Sequence, residues 1–149
     1  KNPLNSECSS KNSPQHPAGW RWVKLGDVAE YINGKAFKPD DWKTSGLPII
    51  RIQNLTSDNA GFNYFEGEAE KKYIVENGDL LISWSASLDA YIWQRGTAIL
   101  NQHIFKVVEN PSVIRRDYLY FAVREAMDEI RSQVHGATMK HITRPEFLA

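Results

Sequence analysis

One segment near the carboxyl end has apolar residues at the spacing of an α-helix, and the segments before it are short and strand-like. The apolar positions of this segment are Leu119, Ala122, Val123, Ala126, Met127, Ile130 and Val134. They recur at three- and four-residue intervals and therefore share one face of a helix. Asp117 is a candidate N-cap, and Gly136 can supply the left-handed residue that ends the helix. The pattern predicts a helix that covers the face of a sheet.

Short strands are predicted before this helix. Ile50 and Ile52 alternate with Arg51 and Gln53, which is the period-two pattern of a half-buried strand. Further strands are predicted near residues 62–65, 80–84, 89–94, 96–100 and 102–108. The expected fold class is α+β, with a twisted, mainly antiparallel β-sheet and one long helix packed on it.

Length and composition fit one domain. A chain of 149 residues can bury a core of its own without disulfides. The single cysteine, Cys8, cannot form an internal disulfide, which suits a reducing compartment. No apolar run is long enough to span a membrane, and no signal segment opens the chain. We therefore expect a soluble, cytoplasmic protein with no membrane partner.

The charge balance argues against a strongly nucleic-acid-binding chain, because 18 basic and 18 acidic residues cancel. The distribution is uneven, however. Residues 57–79 are acidic and are expected to face solvent or a protein partner, whereas 35–51 and 131–144 lean basic. A balanced domain can still present a basic face, with modest affinity on its own.

Catalytic motifs are poorly matched. A magnesium-dependent nuclease site could combine Asp40 with Glu70, Lys71 and Lys72, but these residues do not lie on adjacent predicted strands. The segment Asn110-Pro111-Ser112-Val113 lacks the second proline and the aromatic residue of an adenine methyltransferase motif. Phosphate-binding glycine loops and metal-ligand spacings of Cys and His are also absent from the sequence. The residues favour binding over catalysis.

Five segments in order resemble one known family. They are GWRWVKLGDVAEYINGKAFK at 19–38, LPIIRIQNL at 47–55, GDLLISWSASLDAYIWQ at 78–94, NQHIFKVV at 101–108 and HGATMKHITRPEFL at 135–148. This series resembles a target recognition domain of the specificity (S) subunit of type I restriction-modification enzymes. The resemblance extends from about Gly19 to the last residue.

The resemblance implies a module that recognises double-stranded DNA and has no catalytic site or cofactor of its own. Its implied partners are methyltransferase (M) subunits and restriction (R) subunits, which use S-adenosylmethionine, ATP and magnesium. In this family one recognition domain reads one half of a bipartite target, and the M subunits extrude an adenine for methylation. The function expected from the resemblance is thus sequence selection for the active sites of other subunits.

The chain divides into three predicted parts. Residues 1–18 are rich in Ser, Asn, Pro and Lys and are predicted to form a flexible tail or linker. Residues 19–143 form the expected recognition domain. Thr143 to Glu146 carry a capping box, so residues 144–149 are interpreted as the start of a truncated helix.

Candidate DNA-binding residues lie in the segments that carry the resemblance and have polar or basic side chains. They are Lys35, Lys38, Arg51, Gln53, Asn54, Ser85, Ser87, Asn101, Gln102, His103, Lys140 and His141. Arg, Gln and Asn are the side chains that pair with guanine and adenine edges.

Each candidate also has a structural explanation. The lysines near position 35 could occupy an ordinary solvated loop, and residues 101–103 could satisfy backbone groups at a strand end. Lys140 and His141 could stabilise a helix carboxyl end. Trp84 follows Leu80 and Ile82 at every second position, on the same face of the predicted strand, which favours core packing over base stacking.

Two other functional classes remain open from the sequence. The chain could be the recognition domain of a fused methyltransferase-nuclease. It could also be a carbohydrate-binding or protein-binding module, since it has five Trp and six Tyr. Against the latter, Trp20, Trp22, Trp84 and Trp93 all fall in strand-like segments, so most of them are expected to be buried.

Overall fold

The computed structural model describes residues 17–85 and 87–133. The strands are β1 Ala29–Asn33, β2 Leu47–Ile50, β3 Asn63–Phe65, β4 Ile74–Val75, β5 Leu80–Ser83, β6 Asp89–Ile92, β7 Ala98–Leu100 and β8 Ile104–Glu109. The α-helices are α1 Leu25–Val28, α2 Ile52–Thr56 and α3 Arg116–Gln133, with 3₁₀ turns at Pro39–Asp41 and Lys71–Tyr73. The predictions for the tail at 1–16, for Val134, Gly136, Lys140 and His141, and for the capping box at 143–146 lie outside the described residues.

The strands form two four-stranded sheets. The first sheet has the order β1-β8-β5-β6 and is antiparallel throughout, with Tyr31 opposite Val107 and Ile82 opposite Phe105. The second sheet has the order β3-β2-β7-β4, in which β2 and β7 run parallel. The predicted α+β class is confirmed, and the structure adds that the strands are shared between two sheets.

Strand β5 lies between two apolar layers, which explains why all four of its residues are buried. Leu80 and Ile82 face one way and pack with the residues of α3, whereas Leu81 packs with Ile50 and Leu100 of the second sheet. Successive side chains of a strand point to opposite faces, so one strand can serve both layers. The first sheet is therefore enclosed by α3 on one side and by the second sheet on the other.

Helix α3 packs on the first sheet through the apolar stripe that the sequence predicts. Leu119, Val123 and Met127 are fully buried in one cluster with the sheet residues. The N-cap prediction is wrong, because the helix begins at Arg116 and Asp117 lies inside its first turn. There the Asp117 carboxylate pairs with Arg115 and still benefits from the helix dipole. Within the described part of the chain, no helix is both long and apolar enough to cross a membrane.

A group of four charged side chains ties α3 to the two sheets, and we name Asp79, Lys106, Glu109 and Arg116 the paired cluster. Lys106 Nζ lies 3.1 Å from Asp79 and donates to the Ile74 carbonyl at 2.7 Å. Arg116 lies 3.0 Å from Glu109 and donates to the Gly78 carbonyl at 2.8 Å. The expectation that the whole acidic stretch 57–79 faces solvent is wrong for Asp79, whose side chain is only 15% exposed.

Of the four tryptophans in strand-like segments, most of which were predicted to be buried, only two are buried or partly buried. Trp93 is buried and Trp84 is partly buried, but Trp20 and Trp22 are 51% and 72% exposed. Residues 17–24 form no strand, so their alternating pattern has no sheet to pack against. Trp20 instead lies edge-on against Tyr118 of α3, with ring centroids 5.2 Å apart.

Candidate nucleic-acid interface

The turn at residues 101–103 joins the two sheets, since it connects β7 to β8. The Asn101 N–H donates to the Ile50 carbonyl at 3.1 Å, and the Gln102 N–H donates to the Lys35 carbonyl at 2.9 Å. We name the polar surface around this turn the junction face. Its residues are Asn33, Lys35, Arg51, Trp84, Asn101, Gln102 and His103. The structure thus brings together predicted residues from three separate segments.

Gly34 permits the close approach on which the junction face depends. A Cβ at this position would lie 1.9 Å from the backbone oxygen of Asn101. The Gly34 N–H also donates to the Ile104 carbonyl at 3.0 Å, and the Lys35 N–H donates to the Leu100 carbonyl at 2.9 Å. Only glycine allows both backbones to come this close without a shift of one of them.

Trp84 supports the junction face from beneath. Its ring stacks on Phe105 at 5.7 Å and contacts His103 at 4.9 Å. The indole N–H donates to the Asn33 side-chain oxygen at 3.3 Å. The prediction that Trp84 packs into the core, and does not serve as an open stacking platform, is confirmed.

Three buried polar atoms of the junction face have no hydrogen-bond partner. In residues 17–85 and 87–133, the buried side-chain atoms of this kind are Arg51 Nε, Asn101 Oδ1 and His103 Nδ1. Buried polar groups in folded proteins are nearly always paired, and the exceptions concentrate at functional sites. All three fall on residues that the sequence singled out, which makes the junction face the leading candidate site.

The prediction of a strand that presents Arg51 and Gln53 is wrong beyond Ile50. Strand β2 ends there, Arg51 precedes helix α2, and Gln53 is exposed on that helix. The Asn54 side-chain oxygen accepts from the Arg51 N–H at 3.0 Å and so stabilises the start of the helix.

Asn54 is therefore a structural residue in this chain. It is 2% exposed, and its amide also donates to the Ala60 and Gly61 carbonyls at 3.2 and 3.1 Å. A side chain with both ends engaged in this way has little to offer a base. Arg51 and Gln53 remain candidate DNA-binding residues. Arg51 lies before helix α2 and Gln53 lies on that helix, and neither lies on a strand.

The remaining candidates differ in how accessible they are. Ser85 is buried, which argues against a direct DNA contact from its hydroxyl, and Ser87 is partly buried in the same loop. Lys38 is exposed at the start of the 3₁₀ turn. The Lys35 ammonium lies 4.9 Å from the Phe65 ring centroid and 5.5 Å from that of Phe37.

Trp42 and Asn33 were not named individually among the candidate residues predicted from the sequence. The Trp42 ring is 41% exposed, and its centroid lies 5.5 Å from the guanidinium carbon of Arg51. This stacking holds the Arg51 side chain against the surface. A tryptophan in an otherwise polar loop was the available signal. Asn33 carried no signal beyond being followed by Gly34, since Asn-Gly is a dipeptide typical of turns.

The two cationic side chains of the junction face, Lys35 and Arg51, have no carboxylate partner among residues 17–85 and 87–133. By contrast, Lys106 and Arg116 of the paired cluster each have one. Uneven pairing of this kind gives a locally positive surface on a chain whose total charge is zero. No group of three or more His, Cys, Asp or Glu side chains in the described ranges is placed to hold a metal ion.

Comparison with known proteins gives a family assignment. The family described as the type I restriction modification DNA specificity domain matches residues 17–148. The chain belongs to this family. The resemblance to a target recognition domain of a type I specificity subunit, inferred from the sequence, is therefore confirmed.

Two curated relatives are specificity subunits. The type I restriction enzyme MjaVIII specificity subunit of Methanocaldococcus jannaschii is 25% identical over 133 residues, which cover 88% of this chain and 31% of that protein. The type I restriction enzyme EcoAI specificity subunit of Escherichia coli is 38% identical over 39 residues, which cover 26% of this chain and 7% of that subunit. The type I specificity domain described here thus spans about a third of the longer match.

Solved structures support the fold. The HsdS subunit from Thermoanaerobacter tengcongensis has a TM-score of 0.67 at 19% identity, covering 93% of this chain and 34% of that one. The type I restriction-modification S subunit from M. genitalium has a TM-score of 0.56 at 14% identity, covering 85% of this chain and 32% of that one. At these identities the likeness establishes a shared architecture for this specificity domain.

Proposed function

We propose that this type I specificity domain recognises double-stranded DNA through its junction face and thereby selects the target of a restriction-modification system. The observation that carries the proposal is that the buried side-chain atoms without a partner among the described residues all belong to the junction face, which also carries the cations of Lys35 and Arg51. The family match over residues 17–148 supplies the class of ligand.

The division of labour proposed here leaves chemistry to other subunits. This domain reads one half of a bipartite target, and a second recognition domain reads the other half. M subunits methylate an adenine with S-adenosylmethionine, and R subunits cleave DNA with ATP and magnesium. Lys38, Gln53 and Ser87 are retained as further contact candidates, as are Lys140 and His141, which lie outside the described residues.

The relatives favour this role over the two alternatives. Both curated relatives are named as specificity subunits and neither as a fused methyltransferase-nuclease. A carbohydrate module would be expected to expose aromatic rings at its binding site, but Trp84 of the junction face is packed between Phe105 and His103. The balance of features supports DNA.

A salt-dependence measurement tests the proposal. DNA binding by the full-length specificity subunit is measured at several salt concentrations for wild type and for Lys35→Ala. Each phosphate contact contributes about 0.9 to the slope of log affinity against log salt. If Lys35 contacts a phosphate, the variant slope is shallower by about one contact.

Lys71→Ala is the matched control, because Lys71 is exposed and lies outside the junction face. Its slope should equal that of wild type. Identical slopes for all three proteins would remove Lys35 from the interface. Failure of the wild-type subunit to bind duplex DNA at low salt would refute the proposed function itself.

A further inference from the structure

The turn at 101–103 is held by backbone hydrogen bonds on both of its sides. On one side, residues 34 and 35 exchange hydrogen bonds with Leu100, Gln102 and Ile104 at 2.9 to 3.0 Å. On the other side, the Trp84 N–H donates to the His103 carbonyl at 3.3 Å. A turn fixed in this way loses little conformational freedom when it binds a partner.

The backbone at His103 has an uncommon conformation that the surrounding contacts maintain. Its φ of 70° is the one left-handed value at a non-glycine residue within the described ranges. Glycine adopts this conformation without strain, whereas other residues rarely do. The His103 ring packs on Trp84, so the side chain contributes to holding the turn in place. Strained backbone of this kind concentrates at functional sites.

Gln102 is the side chain that this fixed turn projects. Its two neighbours are half-buried, and each has one buried polar atom turned inward, Asn101 Oδ1 and His103 Nδ1. Gln102 itself is exposed, and its amide makes no hydrogen bond to another described residue. The turn therefore offers a free carboxamide on a rigid base at the centre of the junction face.

We infer that Gln102 is a specificity-determining residue that reads an adenine in the major groove. This inference rests on the proposed function. A carboxamide has one acceptor and one donor group side by side, which match the N6 amino group and N7 of adenine. A pair of this type discriminates between bases by about 5- to 150-fold.

Selection from a pool of randomised duplexes tests the inference with the full-length specificity subunit in complex with its partner subunits. Wild type should require adenine at one position of the half-target that this domain reads. Gln102→Ala should lose that requirement by about 5- to 150-fold while the other positions keep theirs. Gln102→Glu should shift the preference at that position toward cytosine, because a carboxylate accepts from the cytosine N4 amino group.

Gln94→Ala and Gln94→Glu are matched controls, since Gln94 is also exposed but follows β6 at the other end of the first sheet. Both should keep every base preference of wild type. Thermal unfolding confirms that each variant retains its fold. Uniform weakening at all positions would indicate a structural role and would overturn the inference.

The remaining outcomes separate this inference from the proposed function. If the Gln102 variants keep every base preference, Gln102 is not the reading residue, although the domain still recognises DNA. A response at a position that is not adenine would overturn the base assignment. If wild type selects no sequence at all, the proposed function fails and this inference fails with it.

Discussion

Two polar clusters adjoin strand β8, and they differ in whether their polar groups have partners within the chain. In the paired cluster toward its carboxyl end, Lys106 and Arg116 each have a carboxylate and a backbone carbonyl as partners. In the junction face at its amino end, buried atoms of Arg51, Asn101 and His103 have no partner within the part of the chain that the structure describes. Both clusters are part of one sheet system, so the difference does not arise from a difference in core packing.

The difference separates groups that are paired within the chain from buried groups that no described residue satisfies. Removing one partner of a buried, paired charge leaves the other uncompensated and is strongly destabilising. Removing a buried polar atom that has no partner relieves the folded state of that atom's desolvation penalty. It also removes a group that could hydrogen-bond to a ligand. Substitutions in the paired cluster should therefore lower stability, and substitutions in the junction face should lower DNA affinity.

The largest effect is expected for Asp79→Ala. This change leaves Lys106 without its carboxylate although its side chain is only 18% exposed. The free energy of unfolding in urea should fall by about 3 kcal/mol. Glu70→Ala is the control, because it removes an exposed pair with Lys72 and should leave the urea midpoint unchanged. Equal shifts in the two variants would contradict the role assigned to the paired cluster.

The second effect concerns Gly34→Ala, which tests the close approach beneath the junction face. The new methyl group would meet the Asn101 carbonyl, and the strain should lower the unfolding free energy by about 1 to 3 kcal/mol. DNA affinity should also fall, because the turn is displaced. Gly61→Ala has no atom within 4 Å of its new Cβ and should leave both measurements near wild type. Wild-type DNA affinity in Gly34→Ala would show that the turn need not be held in place.

A smaller effect on stability is expected for Tyr31→Phe, which removes a paired polar group away from the junction face. The Tyr31 hydroxyl donates to the Leu25 carbonyl at 3.0 Å, and its loss should cost about 1 kcal/mol at neutral pH. Burial raises the pKa of Tyr31 from 10.0 to about 12. Because the folded pKa is the higher one, this stabilisation is complete below pH 10 and is lost as pH rises toward 12.

Urea unfolding of wild type and Tyr31→Phe between pH 8 and roughly pH 11 measures this difference. The gap between the two proteins should narrow above pH 10, where the unfolded wild-type chain ionises. Tyr118→Phe removes the hydroxyl of a half-exposed tyrosine of α3 and serves as the control for the substitution itself. A constant gap would mean that burial of Tyr31 does not favour its neutral form.

The smallest effect on stability is expected for Asn101→Ala. Its side-chain oxygen is buried and has no partner among the described residues, so the unfolding free energy should change by no more than about 0.5 kcal/mol. DNA affinity should nevertheless fall. Asn54→Ala is the contrasting variant, because the Asn54 amide is paired at both ends and its loss should cost about 1 to 3 kcal/mol. Similar losses of stability in both would remove the distinction between paired and unpaired amides.

Much of the fold could be predicted because its signals are local. The apolar stripe of α3 and most strands between residues 62 and 109 were identified by their periodicity. The prediction failed at residues 51–53, where the alternation of Ile50 and Ile52 continues across the end of β2 into α2. The apolar residues Ile50 and Ile52, two positions apart, fit either a continuous strand or a strand that ends in a helical turn. The contact of the Asn54 side chain with the Arg51 N–H favours the helical turn.

Part of the membership of the junction face was predicted from the sequence, but its geometry was not. Lys35, Arg51 and residues 101–103 were chosen for their side-chain chemistry, and the fold brings them to one surface. The roles of Asn54 and Asp79 were not predictable, since each depends on partners that the pattern of its own segment does not indicate. The same applies to Trp42, whose contact with Arg51 crosses between segments.

The sequence by itself determined the secondary structure class and the helix face that is buried, because these depend on residue spacing within short segments. It also indicated the family, through the resemblance of five segments. The tertiary structure alone decided which polar groups are paired and which remain free. Pairing requires distant segments to meet, as when Arg116 reaches Gly78 or Asn101 reaches Ile50. Among the described residues, the groups left without such a neighbour belong to the surface that we propose contacts DNA.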